Sequence, residues 1–180
     1  MNMLAIRPAT NKDIDGIMQL EAHGFPAPIR ESRDVMQTRL DHFPQGFLVL
    51  DGDGGTPAGY FCSELWDASI GHDASAFTVG HDIRDVHQPD GSRLYISSMT
   101  IHPDRRGNGM GRQFFVQCLA RVRQQLPQIR QSTLMLSAEW SGAYRIYQQV
   151  GYTEVMRLSQ FFSQIAEQDG DAIVMHKDFT

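Results

Sequence analysis

The sequence predicts a single α/β domain. Two observations carry this. Strand-like and helix-like apolar patterns alternate along all 180 residues, and no internal repeat, low-complexity tract or linker interrupts them. The composition, 41% hydrophobic and 21% charged, supplies enough apolar side chain for a sizeable core. At about 150 residues per domain, one domain spanning 1–180 is expected. No apolar run reaches the roughly 18 residues of a membrane span. The segment Met1–Pro8 lacks the apolar stretch of a signal peptide. A net charge of −5 argues against nucleic acid as a partner. Cys62 and Cys118 have no CxxC spacing and read as reduced thiols of a cytoplasmic protein.

The elements follow in order. Leu4–Arg7 reads as a short strand. Thr10, followed three residues later by Asp13, marks a helix start, with Ile14, Ile17, Met18 and Phe25 at helical spacing and Gly24 at the end. Ser32 is a candidate cap for a second helix whose stripe is Val35, Met36, Leu40 and Phe43. Gly46–Leu50 and Ala58–Leu65 form a hairpin around the turn Asp51–Gly55. From Trp66 to Asp90 the pattern fades into a long loop. It holds His72, His81 and His87 with five aspartates, but no tight ligand spacing, so no metal is expected. Leu94–Ile101 is the strongest strand. A glycine-rich loop and a helix from about Gly111 to Leu126 follow, stopped by Pro127. Leu134–Leu136 is a further strand, and Ala143–Val150 a short helix closed by Gly151. Tyr152–Phe162 and Ala172–Phe179 read as a final antiparallel pair.

The informative segment is Arg105-Arg106-Gly107-Asn108-Gly109-Met110-Gly111. Glycines between a strand and a helix let the backbone turn tightly and approach a ligand. The helix start offers unpaired N–H groups and a positive dipole end, both suited to phosphate. By itself such a loop is equally a structural turn. Walker A requires a Lys-Ser or Lys-Thr that is missing here. The dinucleotide fingerprint requires a different glycine spacing early in the chain.

Arg106-x-x-Gly109-x-Gly111, preceded by Met99-Thr100-Ile101-His102-Pro103, resembles the pyrophosphate loop of the GNAT superfamily of acetyl-CoA-dependent N-acetyltransferases. The start Ile6-Arg7-Pro8-Ala9-Thr10 and the late Ala143-x-x-x-Tyr147-x-x-x-Gly151-Tyr152 resemble that superfamily as well. Phe25-Pro26, Phe43–Val49 and Gly59–Asp67 look like its arylalkylamine (serotonin) N-acetyltransferase branch. The resemblance implies the GNAT acyl-CoA N-acyltransferase fold. That is a mixed, mostly antiparallel sheet of about seven strands with about four helices.

What the resemblance implies for chemistry can be set against physical need. Acetyl-CoA would enter an opening between Leu94–Ile101 and Thr133–Ala138. The backbone of Met99, Thr100 and Ile101 would pair with the pantetheine arm as an added strand. Backbone N–H groups of Arg106, Gly107, Asn108, Gly109, Met110, Gly111 and Arg112 would hold the pyrophosphate. Tyr147 matches the family's tyrosine acid, which protonates the departing thiolate; as a residue alone it equally suits a core aromatic beside Tyr144 and Val150. An alkylammonium with a pKa near ~10.4 must lose a proton before it attacks. Where the serotonin branch has histidines for that proton, this chain has Tyr95 and Ser97, which share strand parity and are candidates to order water. Glu64, Asp67 and Glu139 are further candidates for the base, though a carboxylate in such a place is more often simply a solvated surface group. Trp140 replaces a cofactor-contacting asparagine, and packs on the cofactor arm, walls the acceptor site or caps a helix. His102 reads as structural, and His176 as core or surface.

Two functions follow. The first is an N-acetyltransferase moving acetyl from acetyl-CoA to a primary amine of a small molecule or peptide, without metal, nucleic acid or membrane, and compatible with a homodimer. Its acceptor pocket would come from Gly24–Arg33 and Trp66–Asp90. The second is a non-catalytic acyl-CoA-binding sensor, which would need the glycines but not Tyr147.

Overall fold

Seven strands pair into one sheet in the order β1-β2-β3-β4-β5-β7-β6 in the computed structural model, which describes residues 3–69 and 71–180. Met1 and Asn2 of the N-terminal segment and Ile70 of the 66–90 stretch lie outside the described residues. The strands are β1 (Ile6–Pro8), β2 (Phe47–Asp51), β3 (Pro57–Trp66), β4 (Arg93–Ile101), β5 (Gln131–Ser137), β6 (Thr153–Leu158) and β7 (Ala172–Asp178). The helices are α1 (Ile14–Gly24), α2 (Arg33–His42), α3 (Ile83–Val86), α4 (Met110–Gln125) and α5 (Ser141–Gln149). All neighbouring strands run antiparallel except β4 and β5.

Both faces of the sheet are covered, which explains the unbroken apolar runs in β2 and β3. Phe47, Val49, Tyr60 and Cys62 pack against Ile14, Ile17, Leu20, Met36 and Leu40 of α1 and α2. The alternate residues Leu48, Leu50 and Phe61 pack on the other face with Phe114, Phe115, Cys118 and Val122 of α4. Cys62 and Cys118 are buried free thiols, one on each face.

The expected helix signals are present. Asp13 accepts from the Thr10 N–H at 2.8 Å and the Thr10 hydroxyl at 3.0 Å, and Arg7 donates to its two oxygens at 2.7 and 2.8 Å. The Ser32 hydroxyl accepts from the Val35 N–H at 3.2 Å and caps α2. Gly151, with φ +97°, closes α5 in a conformation open to glycine. Gly24 ends α1 for a different reason: a Cβ there would meet the Thr100 hydroxyl at 2.6 Å, so the helix end and β4 touch.

Three expectations change. The 66–90 stretch contains the one-turn helix α3, tied down where His87 Nδ1 accepts from the Leu65 N–H at 3.1 Å. Helix α5 starts at Ser141, two residues earlier than its apolar pattern. The strand read over Tyr152–Phe162 is pairing backbone only as far as Leu158. Beyond it Gln160 takes φ +55° and the chain loops back, so that Phe162 packs on Trp140 at 5.5 Å between ring centroids. Phe161 and Phe162 read as strand residues because both are apolar; the loop buries Phe162 and leaves Phe161 half-buried instead.

Candidate active site

Strands β4 and β5 stay in register from Arg93↔Gln131 to Ile96↔Leu134 and then separate. Past that point β4 keeps β3 on one edge, while the edge facing β5 has no strand neighbour among the described residues. Unpaired backbone N–H and C=O groups along such an edge invite another extended chain. A cavity of about 580 Å³ fills the gap. Ser97–Ile101 line one wall, and Leu134–Leu136 with Trp140–Ala143 line the other. Met99, Thr100 and Ile101, expected to pair with a pantetheine arm, all border it.

The glycine loop closes one end. Gly107, Asn108 and Gly109 follow one another with φ of +93°, +50° and +75°. Three consecutive left-handed residues coil the backbone tightly, and only glycine and asparagine accept this at low cost. Gly109 is the N-cap of α4, so the helix begins with orphan N–H groups at the cavity mouth. Arg106 Nε donates to the Ile101 carbonyl at 3.0 Å, and Arg105 pairs with Asp53 at 2.8 Å. The motif arginine therefore braces the loop against the end of β4. A Cβ on Gly111 would lie 3.2 Å from the Ile146 side chain, so this glycine lets α4 and α5 approach. Arg106, Gly107 and Gly111 border the cavity; Asn108, Gly109, Met110 and Arg112 lie on the same loop and first helical turn, outside its lining.

Tyr147 is 9% exposed, borders the cavity and packs on Phe115 at 5.0 Å. Burial pushes its hydroxyl up to about 12, so it carries its proton at neutral pH. The core-aromatic reading holds, since the ring belongs to the α4-side core, and the residue also lines the cavity.

A family model described as "Acetyltransferase (GNAT) domain" matches residues 70–168, more than half of the chain. The chain belongs to that family. The GNAT domain has the α/β fold expected, with α3 as a fifth helix. It is similar to two solved structures. One is a GphF GNAT-like decarboxylase in complex with isobutyryl-CoA, at 20% identity and a TM-score of 0.77, covering 96% of this chain and 98% of that one. The other is the ribosomal-protein-S18-alanine N-acetyltransferase of Escherichia coli, at 15% identity and a TM-score of 0.70, covering 99% and 95%. Among curated proteins it is similar to "Probable hydrolase YhcX" of Bacillus subtilis, 26% identical over 126 residues. That match takes in 62% of this chain, and spans 22% of the length of the relative.

In this GNAT domain the parity argument for Tyr95 and Ser97 fails. Ser63 pairs with Ile96 and Cys62 with Ser98, so Ser97 is an extra residue in β4. A one-residue bulge inverts the alternation of side chains beyond it. Before the bulge Leu94 and Ile96 join the α4-side core; after it Ile101 does, with Met99 packed against that core. Tyr95 consequently shares a face with Ser98 and Thr100. Both predicted residues still border the cavity. Tyr95 is buried in a stack on Trp66 at 4.0 Å, and burial, with Glu64 adding, raises its pKa. The Ser97 hydroxyl donates to the Cys62 carbonyl at 3.3 Å.

The carboxylates sort differently from expectation. Glu64 is fully buried and accepts from the Trp66 indole at 2.8 Å and from His81 Nε2 at 2.8 Å. His81 Nδ1 faces the Thr78 carbonyl at 2.9 Å, which can only accept, so Nδ1 carries a proton. Burial opposes charge on His81, but Glu64 outweighs it and the imidazole sits above its ordinary pKa. Asp67 is exposed and caps the Ser69 N–H at 2.8 Å. Glu139 borders the cavity while its oxygens accept the backbone N–H groups of Glu167, Gln168 and Asp169, anchoring the loop that carries Phe162.

Two carboxylates that the sequence reading passed over stand on the cavity wall, Glu21 and Glu31. Glu21 Oε1 accepts the Glu31 N–H at 2.8 Å, and its Oε2 accepts the Tyr60 hydroxyl. Glu31 Oε1 pairs with buried Arg39 at 3.2 Å and takes the Gly80 N–H at 3.3 Å, while Oε2 has no partner among the described residues. A signal existed for Glu21: it continues the apolar stripe Ile14, Ile17, Gly24 at 3–4 residue spacing. Arg39 likewise sits on the stripe of α2. A charge on a buried stripe marks a buried polar contact.

Trp140 is the N-cap residue of α5 and stands between Phe25, at 5.7 Å, and Phe162, at 5.5 Å. It walls the cavity and caps the helix together. Of the two loops expected to frame an acceptor pocket, the first gives Gly24, Phe25, Ile29 and Glu31, and the second gives Val79. His102 accepts from the Asp104 N–H at 3.2 Å and is structural. His176 lies within hydrogen-bond reach of the Thr133 hydroxyl at 2.9 Å. Among the described residues no three His, Cys, Asp or Glu side chains gather as a metal site, and no helix is long and apolar enough to cross a membrane.

Proposed function

We propose that the chain transfers an acetyl group from acetyl-CoA to a primary amine by direct attack. The observation that carries this reading is the convergence on one cleft of three features: the free edge of β4, the left-handed Gly107–Gly109 loop and the Tyr147 hydroxyl. The pantetheine arm lies along Met99–Ile101 and the pyrophosphate meets the N–H groups from Arg106 to Arg112. The similarity to a structure holding isobutyryl-CoA and to an N-acetyltransferase supports the choice of an acyl-CoA donor and an amine acceptor.

The acceptor nitrogen attacks the thioester carbonyl and the carbon–sulfur bond breaks. Tyr147 donates its proton to the departing thiolate and is reprotonated from the second proton that the amine loses. Because burial keeps the phenol protonated, no prior titration step is needed. Tyr95 and Ser97 hold water at the acceptor side. The acceptor is a primary amine of a small molecule or peptide, and with Tyr95 and Ser97 where the arylalkylamine branch has histidines, the likeness to that branch does not choose among them.

The test is release of CoA thiol from acetyl-CoA across arylalkylamines, polyamines, amino acids, aminoglycosides and short peptides, with acetyl-CoA binding measured on the same sample. Acceptor-dependent release is the expected result. Tight binding without release from any amine would overturn it in favour of the sensor reading.

A further inference from the structure

Glu21 has no task in the chemistry above. It is 2% exposed, yet it borders the cavity. The direction of its hydrogen bonds can be worked out from donor and acceptor inventory alone. An ionised carboxylate only accepts, so the single proton of the Tyr60 hydroxyl is committed to Glu21 Oε2. The Ser98 hydroxyl lies 2.5 Å from the Tyr60 oxygen. Because Tyr60 has no second proton, Ser98 is the donor in that contact. The three groups form a chain with one direction, Ser98 to Tyr60 to Glu21. It opens on the cavity wall at Ser98 and ends in a buried carboxylate.

The bulge at Ser97 makes this chain possible. It turns Ser98 onto the face of Tyr60, and the two are diagonal neighbours across β3 and β4, within reach of a long side chain. Tyr60 is fully buried, which, with Glu21 beside it, holds its pKa far above the usual value and keeps it a neutral relay. The ionisable groups facing this chain are Glu31 and Arg39, paired with each other, and Cys62 beside Tyr60.

We infer that Ser98, Tyr60 and Glu21 form the proton path that neutralises the acceptor amine, with Glu21 as the final proton acceptor. The inference rests on the transferase reading. An N–H proton of the ammonium passes to Ser98 Oγ as the Ser98 proton moves to the Tyr60 oxygen and the Tyr60 proton to Glu21 Oε2. Each hydroxyl loses one O–H bond and gains one, the amine keeps its electron pair, and Glu21 becomes neutral until it releases the proton to solvent. Burial drives the two ends toward one another: desolvation raises the carboxylate and lowers the ammonium.

The experiment compares wild type with Glu21→Gln, Tyr60→Phe and Ser98→Ala, using spermidine, 2-phenylethylamine and tri-alanine as acceptors. Folding and acetyl-CoA affinity are checked by thermal melting and calorimetry. Ser98→Ala removes the entrance and leaves Glu21 bonded to Tyr60, so it separates the relay from the stability of the buried pair. The expected result is a drop in kcat/KM of about 10²-fold at neutral pH with acetyl-CoA affinity unchanged. The loss should shrink as the pH approaches the amine's own pKa, near ~10 for the two alkylamines and ~8 for the peptide. Folded variants with the wild-type pH profile would overturn the relay, as would a loss equal at every pH. A wild-type protein inactive on all three acceptors and on the wider amine panel would overturn the transferase reading, and the relay with it.

Discussion

The two ends of the cleft are built from different materials. The end proposed for the cofactor is backbone: a free strand edge, three left-handed residues and the start of a helix. The end proposed for the acceptor is side chain: Glu21, Glu31 and Trp140 on the wall, with Tyr60 and Arg39 behind them. A backbone site needs only the residues that permit its conformation, so it leaves a short glycine pattern and tolerates change elsewhere. A side-chain site needs particular groups brought from distant segments, here α1, the 25–33 loop, β3 and β4. It is specific, and it is scattered.

That contrast can be tested by substitution, beginning with the largest effect. Tyr147→Phe should lower turnover by about 10²–10⁴-fold while acetyl-CoA binds as before, because only the hydroxyl is removed. Single-turnover kinetics alongside calorimetry would show it, and unchanged turnover would remove Tyr147 from the acid role. Next is Arg39→Met, which leaves the Glu31 carboxylate buried without its partner. Removing one member of such a pair costs about 3–5 kcal/mol, measurable as a lower urea midpoint. A smaller loss would mean that Glu31 takes up a proton or reaches water through the cleft.

At the backbone end the effects should be smaller and fall on affinity. Gly109→Val forces a branched side chain into φ +75°, a strain of about 1–2 kcal/mol. If the loop relaxes in the free protein, acetyl-CoA affinity drops roughly tenfold by the same principle. Asn108→Gly, which suits the same backbone, serves as the matched control with wild-type affinity. The last effect concerns His81. Its folded pKa lies above the ordinary 6.5, so its pairing with Glu64 stabilises the fold fully below that value, and the contribution fades as pH rises through the folded pKa. The stability gap between wild type and His81→Asn should therefore be widest in mild acid and close toward alkaline pH in thermal melts. A gap that stayed constant would assign His81 a packing role alone.

Much of the backbone end was legible before any coordinates. The order of the strands, the cap at Ser32, the closing Gly151 and the Arg106–Gly111 loop all leave local signatures, because each depends on a few adjacent residues. The acceptor end was not. Glu21 and Glu31 meet Tyr60 and Arg39 only after the chain has folded, and the sole trace was a charge on each of two apolar stripes. The bulge was hidden for another reason. Ile96-Ser97-Ser98-Met99 reads equally well in either phase, since two adjacent serines give no preference for one face. The loop after β6 was hidden by two apolar residues, Phe162 buried against Trp140 and Phe161 half-buried beside the Trp66 and Tyr95 cluster, which together mimic a strand.

The extra residue at position 97 works like a frameshift within β4. Residues on its two sides obey the same alternation but are read in different frames, so one strand sends Leu94 and Ile96 to the α4 layer and Ser98 and Thr100 to the α1 layer. Deleting Ser97 would remove the bulge and leave Ile96 and Ser98 as ordinary neighbours on opposite faces, each downstream residue keeping its partner on β3 and its face. The one extra residue thus carries the change of frame by itself, and the paired residues on either side of it need no adjustment.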